Sequence, residues 1–249
     1  MSAAPRIDVA RASAGIAELR IRIPPVNVLS GADLREITRC VTGAGERVLV
    51  LSGLPRAFSA GVEVAEHVPE PEPIEAMLAA MRAALTALLQ TPAVTVASVS
   101  GACLGGGAEI AAGCDFVLVS EEARIGFPEI ELACFPPGAV ALLSERIGPA
   151  RATDWILSGK AVSGREAAAA GFASRAVPAA RLAEETRRLA RSLARRSEAA
   201  LSAVVPLLRR GRLHALEEIL PRAEEAYRGL AGDADLARAV RDFPNRRQP

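Results

Sequence analysis

The chain has 249 residues, half of them hydrophobic, enough for one large domain or two modest ones. Thirty basic and 29 acidic side chains leave a net charge of +1, so no long-range field gathers nucleic acid or an anionic membrane. Aromatic residues make up only 3%, which nearly removes the stacking platforms that single-stranded bases need.

Ile7–Ile23 alternates around Ala14-Gly15 and reads as a β-hairpin, ended by Pro24 and Pro25. Ser30 and Asp33 have the spacing of a helix N-cap, with the helix running through Cys40. Arg47–Ser52 reads as a buried strand and Gly53–Pro69 as a loop. Pro71–Gln90 is an amphipathic helix, its stripe formed by Ile74, Met77, Leu78, Met81, Leu85, Leu88 and Leu89. A β-type run, Ala93–Val99, feeds a loop whose Gly105-Gly106-Gly107 leads into the short apolar run Ala108–Ala112, and Phe116–Ser120 is a further strand. Pro136–Ile147 and Ala150–Leu157 read as helices. Ser163 and Glu166 form a capping box before an alanine-rich helix closed by Gly171, and a short strand follows near Arg175–Val177. From Ala179 the pattern is helical, with one stripe at Leu182, Thr186, Leu189 and Leu193 and another at Leu213, Leu216, Leu220, Ala223 and Tyr227. Pro206 and Pro221 fall inside these patterns and predict a kink or a restart at each. The later helices cannot bury their apolar faces alone and should pack on the first part of the chain or on another subunit.

Cys40, Cys103, Cys114 and Cys134 have no CxxC spacing, and His67 and His214 lie far apart, which argues against a zinc site. The cysteines read as small buried apolar residues. MSAAPRIDVA has no signal-peptide core, and no run approaches the ~20 apolar residues of a membrane span. A soluble protein in the reducing cytoplasm is the expectation.

The chemistry-bearing stretch is Thr91–Glu129. Three glycines at a strand-to-helix junction let the backbone come close to something that is not protein, and the amides at a helix start point outward, electropositive and unpaired. A plainer reading is a tight turn with Glu109 favouring the helix start. No GxGxxG, GxxxxGK[ST] or GxSxG motif is present, and Ser98 and Ser100 have no evident histidine partner. What remains is a pair of carboxylates, Glu109 and Glu129, and two glycine-containing loops, Ser59-Ala60-Gly61-Val62 and Gly105-Gly106-Gly107. Amides converging from two loops can hold a developing oxyanion, and two carboxyl groups beside the same carbonyl can move protons and activate water. That combination points to addition to, or a proton shift within, an unsaturated acyl group. Spacing alone does not bring the loops together.

FSAGVEV at Phe58–Val64, SGACLGGGAEIAAGCDF at Ser100–Phe116 and FPEIELACFPPGA at Phe127–Ala139 resemble the crotonase family, the enoyl-CoA hydratase/isomerase superfamily. PPVNVLS at Pro24–Ser30, LSGKAVSGREAAAAGFASRAV at Leu157–Val177 and the tail from Phe243 extend the resemblance over nearly the whole chain. It implies an α/β fold, a spiral of β-β-α turns over residues 1–177 carrying the active site. Residues 178–249 would then form a helical region that builds homotrimers, often paired into hexamers. It implies oxyanion-hole amides at Val62 and Gly106. Glu109 would activate the water that attacks Cβ, and Glu129 would protonate Cα. The backbone around Ala60, together with Gly105, Arg56 and Arg246, is implied to hold the acyl-CoA, the arginines by its phosphates. The plainer reading of each arginine is a solvated surface charge. Coenzyme A arrives with the substrate, and no metal or redox cofactor is implied.

Two features depart from the family pattern. Glu63 stands where Asp is usual, and Phe135-Pro136-Pro137-Gly138 replaces a glycine-rich turn beside the acyl pocket. VEVAEH with FPP is similar to the cyclohexadiene-carbonyl-CoA hydratases, which act on a ring acyl group; His67 would then face the pocket or, more plainly, sit on an exposed loop. An isomerase of the same fold and a catalytically silent acyl-CoA binder are the alternatives to a hydratase.

Overall fold

The structure, a computed structural model, describes residues 6–63 and 71–246, the side chains of 71 and 243–246 excepted. Two mostly parallel sheets grow together, turn by turn. A six-stranded sheet runs in the order β1 (Ile7–Ser13), β2 (Ile16–Ile21), β4 (Val48–Ser52), β7 (Val94–Val99), β9 (Phe116–Ser120), β12 (Arg175–Val177). Apart from the antiparallel β1–β2 hairpin, its pairings are parallel. A smaller sheet runs β11 (Ala161–Ser163), β10 (Arg124–Gly126), β8 (Ala102–Leu104), β5 (Ala57–Ser59), and β3 (Val28–Leu29) pairs with β6 (Gly61–Val62). Each turn passes from a large-sheet strand to a small-sheet strand and then to a helix. β4 and β5 precede α2 (Pro71–Gln90), and β7 and β8 precede α3 (Gly106–Gly113). This is the β-β-α spiral expected above.

The central strands are continuous apolar runs because both faces are covered. In β4, Leu49 and Leu51 join the main core under α2, α3 and α1 (Gly31–Thr42). Their alternates Val48 and Val50 join a second cluster, with Val96 and Leu118, against Leu182, Ala190 and Ala194 of α7 (Ala179–Ala194).

Helix boundaries follow the capping residues. Ser30 caps α1 in a capping box with Asp33, and Ser163 caps α6 (Gly164–Ala170) in another with Glu166. Gly171 closes α6 in the left-handed region. α4 (Pro137–Ile147) and α5 (Pro149–Ser158) each begin with proline in the first turn. The four cysteines are buried and unpaired.

Two expectations need correction. The supposed loop Gly53–Pro69 contains β5 and β6, and β8, β10 and β11 were likewise invisible, being strands of two or three residues that show no alternation. The second correction concerns the prolines. α8 is one helix, Glu198–Arg228, that runs through Pro206 and Pro221, so of the kink or restart expected at each, the restart does not occur. Both prolines and the residues four before them, Ser202 and Glu217, are exposed, so water can take the carbonyls each proline leaves unbonded. α9 (Ala234–Arg246) ends the described chain. α8 packs chiefly on α4 and α2, which places the late helices on the first part of the chain.

Candidate active site

The glycine triplet brings three segments together at the start of α3. Gly105 has φ +50°, and a Cβ there would run into Glu129 Oε1, so glycine leaves room for that carboxylate. A Cβ on Gly106 would lie 2.7 Å from Val62 Cγ1 and 3.6 Å from the Val62 nitrogen. The loops of Val62 and Gly106, far apart in sequence, therefore touch. β6 is held in place by its parallel pairing with β3 and by buried Asn27, just before β3. Asn27 Nδ2 donates to the carbonyls of Ile21, Ala57 and Phe58, its Oδ1 accepts from Ile23 N at 2.7 Å, and its own carbonyl accepts from Ser59 Oγ at 2.7 Å.

Glu109 lies in the first turns of α3 and is 4% exposed. Its carboxylate meets the opening turn of α4, where Ala139 N donates to Oε1 at 2.8 Å. Burial pushes its carboxyl up to about 7, against the partial stabilisation that the Ala139 and Gly138 amides give its ionised form. Glu129 belongs to a 3-10 turn, Pro128–Leu132, that follows β10. Its Oε2 is buried without a hydrogen-bond partner among the described residues. Burial, then the charge of Glu109, pushes its carboxyl up to about 8.

Val62, Gly106, Glu109 and Glu129 line one cavity. Met77, Leu78, Met81 and Arg82 of α2 form one wall. The segment Phe135–Gly138, singled out above as a departure, forms another. α8 supplies Leu220, Glu224 and Tyr227, so the wall draws on residues beyond 177. The Tyr227 ring meets Phe135 edge-on at 5.5 Å. Tyr227 carried a signal only as a core position, and Arg82 and Glu224 carried none, since each reads as the polar side of an amphipathic helix.

The other expected residues fall elsewhere. Ala60 is half-buried between β5 and β6, and its N–H donates to Val26 O at 2.9 Å. Arg56 is exposed, before β5, and neither residue lines the cavity. Gly105 stands against Glu129, and its N–H donates to Gly126 O at 2.9 Å. Arg246 ends α9, with its side chain outside the described set, and His67 lies outside the described residues. Among the described residues no group of three or more His, Cys, Asp and Glu side chains forms a metal-ligating cluster, and no helix is long and apolar enough to cross a membrane.

The far end of α3 is fixed as firmly as its start. Arg146 and Arg212 donate to the carbonyls at its C-terminal end, with Arg212 Nη1 to Cys114 O at 2.9 Å. Asp115, the next residue, binds Arg209 Nε at 2.7 Å and Arg212 Nη2 at 3.1 Å. Arg209 is 2% exposed and also donates to the carbonyls of Thr91 and Ala93. Cations at a helix C-terminus oppose its partial negative charge. The helix bearing Glu109 is thus clamped at both ends. A buried carboxyl pair that shares one proton near neutrality can present a base and an acid to the same ligand.

Comparison with known proteins identifies the family and the fold. The family model described as enoyl-CoA hydratase/isomerase matches residues 11–249. A probable enoyl-CoA hydratase of Bacillus subtilis is 30% identical over 242 residues, 94% of each chain. The cyclohexa-1,5-dienecarbonyl-CoA hydratase of Thauera aromatica is 31% identical over 152 residues, 59% of this chain and 58% of the other. Among solved structures, human mitochondrial delta3-delta2-enoyl-CoA isomerase superposes with a TM-score of 0.87 at 22% identity, covering 97% of this chain and 98% of that one, a likeness of fold. With its crotonase-type spiral, the chain belongs to the enoyl-CoA hydratase/isomerase family of enzymes.

Proposed function

We propose that the protein is a hydro-lyase that adds water across a double bond conjugated to a coenzyme A thioester. The observation that carries this reading is the pair Glu109 and Glu129 in one cavity, which the neighbouring segments of Val62 and Gly106 also line. The amides of Val62 and Gly106 hold the thioester oxygen as enolate charge develops, each donor worth roughly 3 kcal/mol of barrier. Ionised Glu109 takes a proton from the water that attacks Cβ, and protonated Glu129 delivers one to Cα. Having two carboxyl groups, one charged and one neutral, favours hydration, because addition needs a proton removed from water and another supplied to carbon. Coenzyme A enters on the substrate, with Ala60, Arg56, Gly105 and Arg246 as its contacts, and the reaction calls on no other cofactor.

Isomerisation is the second reading, since the same pair can carry a proton from one carbon to another. Incubation with a conjugated enoyl-CoA in heavy-oxygen water separates the two: label in the product means hydration, and a shifted double bond without label means isomerisation. Glu109→Gln and Glu129→Gln should each lower kcat by orders of magnitude while acyl-CoA binding changes little. Full hydratase activity in both variants would overturn the assignment. A silent acyl-CoA binder would turn over nothing across a panel of enoyl-CoAs while still binding them.

The partial similarity to a hydratase of a ring acyl group supports testing cyclic as well as linear substrates. Exposed Val204, Leu207 and Leu208 on α8 support a homotrimer or its paired hexamer, measurable by light scattering. Four unpaired thiols support a reducing, cytoplasmic setting.

A further inference from the structure

One wall of the acyl cavity carries a polar pair that an alkyl chain does not need. Glu224 of α8 is 1% exposed and lines the cavity among Met77, Leu78, Met81 and Leu220. Its Oε2 lies 2.9 Å from Arg82 Nη2, an ion pair. Neither carboxylate oxygen has an aligned hydrogen bond among the described residues, and Arg82 Nε is likewise buried without a partner. Arg228, the other cation in reach, stays 3.8 Å from Oε2 and commits its Nε to Glu75 and its Nη1 to Glu225. A buried acceptor and a buried donor left open cost free energy unless something completes them.

The chemistry of the pair selects the group that completes it. A saturated alkyl end would cover both polar atoms and satisfy neither. A terminal carboxylate would meet the charge of Glu224, and an ammonium would meet that of Arg82. A hydroxyl donates to Glu224 and accepts from Arg82 at once. Resting on the acyl-CoA reading above, we infer that the cavity is built for an acyl group bearing a hydroxyl, held against the Glu224–Arg82 pair.

The test compares three six-carbon 2-enoyl-CoAs, with a methyl, a hydroxyl or a carboxylate at the far end, by kcat/KM and by direct binding. Wild type should favour the hydroxylated chain roughly tenfold or more in both readouts. Glu224→Gln, which keeps an acceptor, should retain that preference, and Glu224→Leu should reverse it in favour of the methyl-ended chain. Melting curves confirm that each variant is folded. Equal use of the three chains by wild type, a preference for the carboxylate, or an unchanged preference in folded Glu224→Leu would each overturn the inference. Preferential binding of the hydroxylated chain with no turnover of any chain would sink the hydratase reading and leave this one standing. Hydration of all three without discrimination would do the opposite.

Discussion

Glu109 and Glu129 cannot be read one at a time, because each sits in the field of the other. With carboxyls pushed to about 7 and about 8, the pair holds a single proton only in the window between. The expected kcat/KM profile is a narrow bell, rising through about 7 as Glu109 ionises and falling through about 8 as Glu129 loses its proton. Glu129→Gln should flatten the alkaline limb of whatever activity remains, and a profile flat from pH 6 to 9 in wild type would contradict the pairing. The same burial acts on stability. A carboxyl raised from near 4.5 to about 7 binds more protons folded than unfolded across that interval. Its stabilising contribution is therefore complete below pH 4.5 and is lost as pH rises through 7. Glu109→Gln cannot ionise and keeps an acceptor for the Ala139 amide. It should be more stable than wild type at pH 8, by on the order of 3 kcal/mol, and the advantage should vanish near pH 4.5 in denaturant titrations.

At the scale of the element, the site depends on strands too short to hold themselves. β6 is two residues long, and Asn27 gathers the carbonyls of Ile21, Ala57 and Phe58 beneath it. Asn27 also has φ +54°, which Asn tolerates better than Ala does. Asn27→Ala should cost on the order of 3 kcal/mol from orphaned buried groups. It should also lower kcat more than it weakens acyl-CoA binding, because Val62 would lose its register. A variant with wild-type melting and kinetics would refute this positioning role. The long elements were legible because their signals repeat: the apolar stripe of α2, the capping boxes of α1 and α6, the apolar runs of β4 and β9. Two- and three-residue strands such as β6 and β8 contain less than two periods of alternation, so nothing in the string distinguishes them from loop. Glu109, Glu129, Val62 and Gly106 could be picked out by motif, while Arg82 and Glu224 could not, since their meeting depends on how α8 lies against α2.

Across the whole molecule, the buried cluster of Arg209, Arg212 and Asp115 joins α8 to α3 and to the entry of β7. Burial works to raise the Asp115 carboxyl, but Arg209, the Thr95 amide and Arg212 together outweigh it and hold the group below the usual range. That stability is present above the unfolded value near 4 and is lost as pH falls through the lower folded value. Arg209→Met should cost about 3–5 kcal/mol at neutral pH by leaving Asp115 short of its closest partner. The gap from wild type should narrow in acid, and urea titrations at pH 7 and pH 3 read both numbers.

α8 is at once lock and lining. Arg209 and Arg212 grip the helix that bears Glu109, and two to four turns further on Leu220, Glu224 and Tyr227 line the cavity. A helix turns about 100° per residue. Any insertion or deletion between those two sets would swing the lining away from the chamber while the grip stayed put. The spacing from Arg212 to Leu220 thus fixes the chamber wall as strictly as the identities of the side chains that form it.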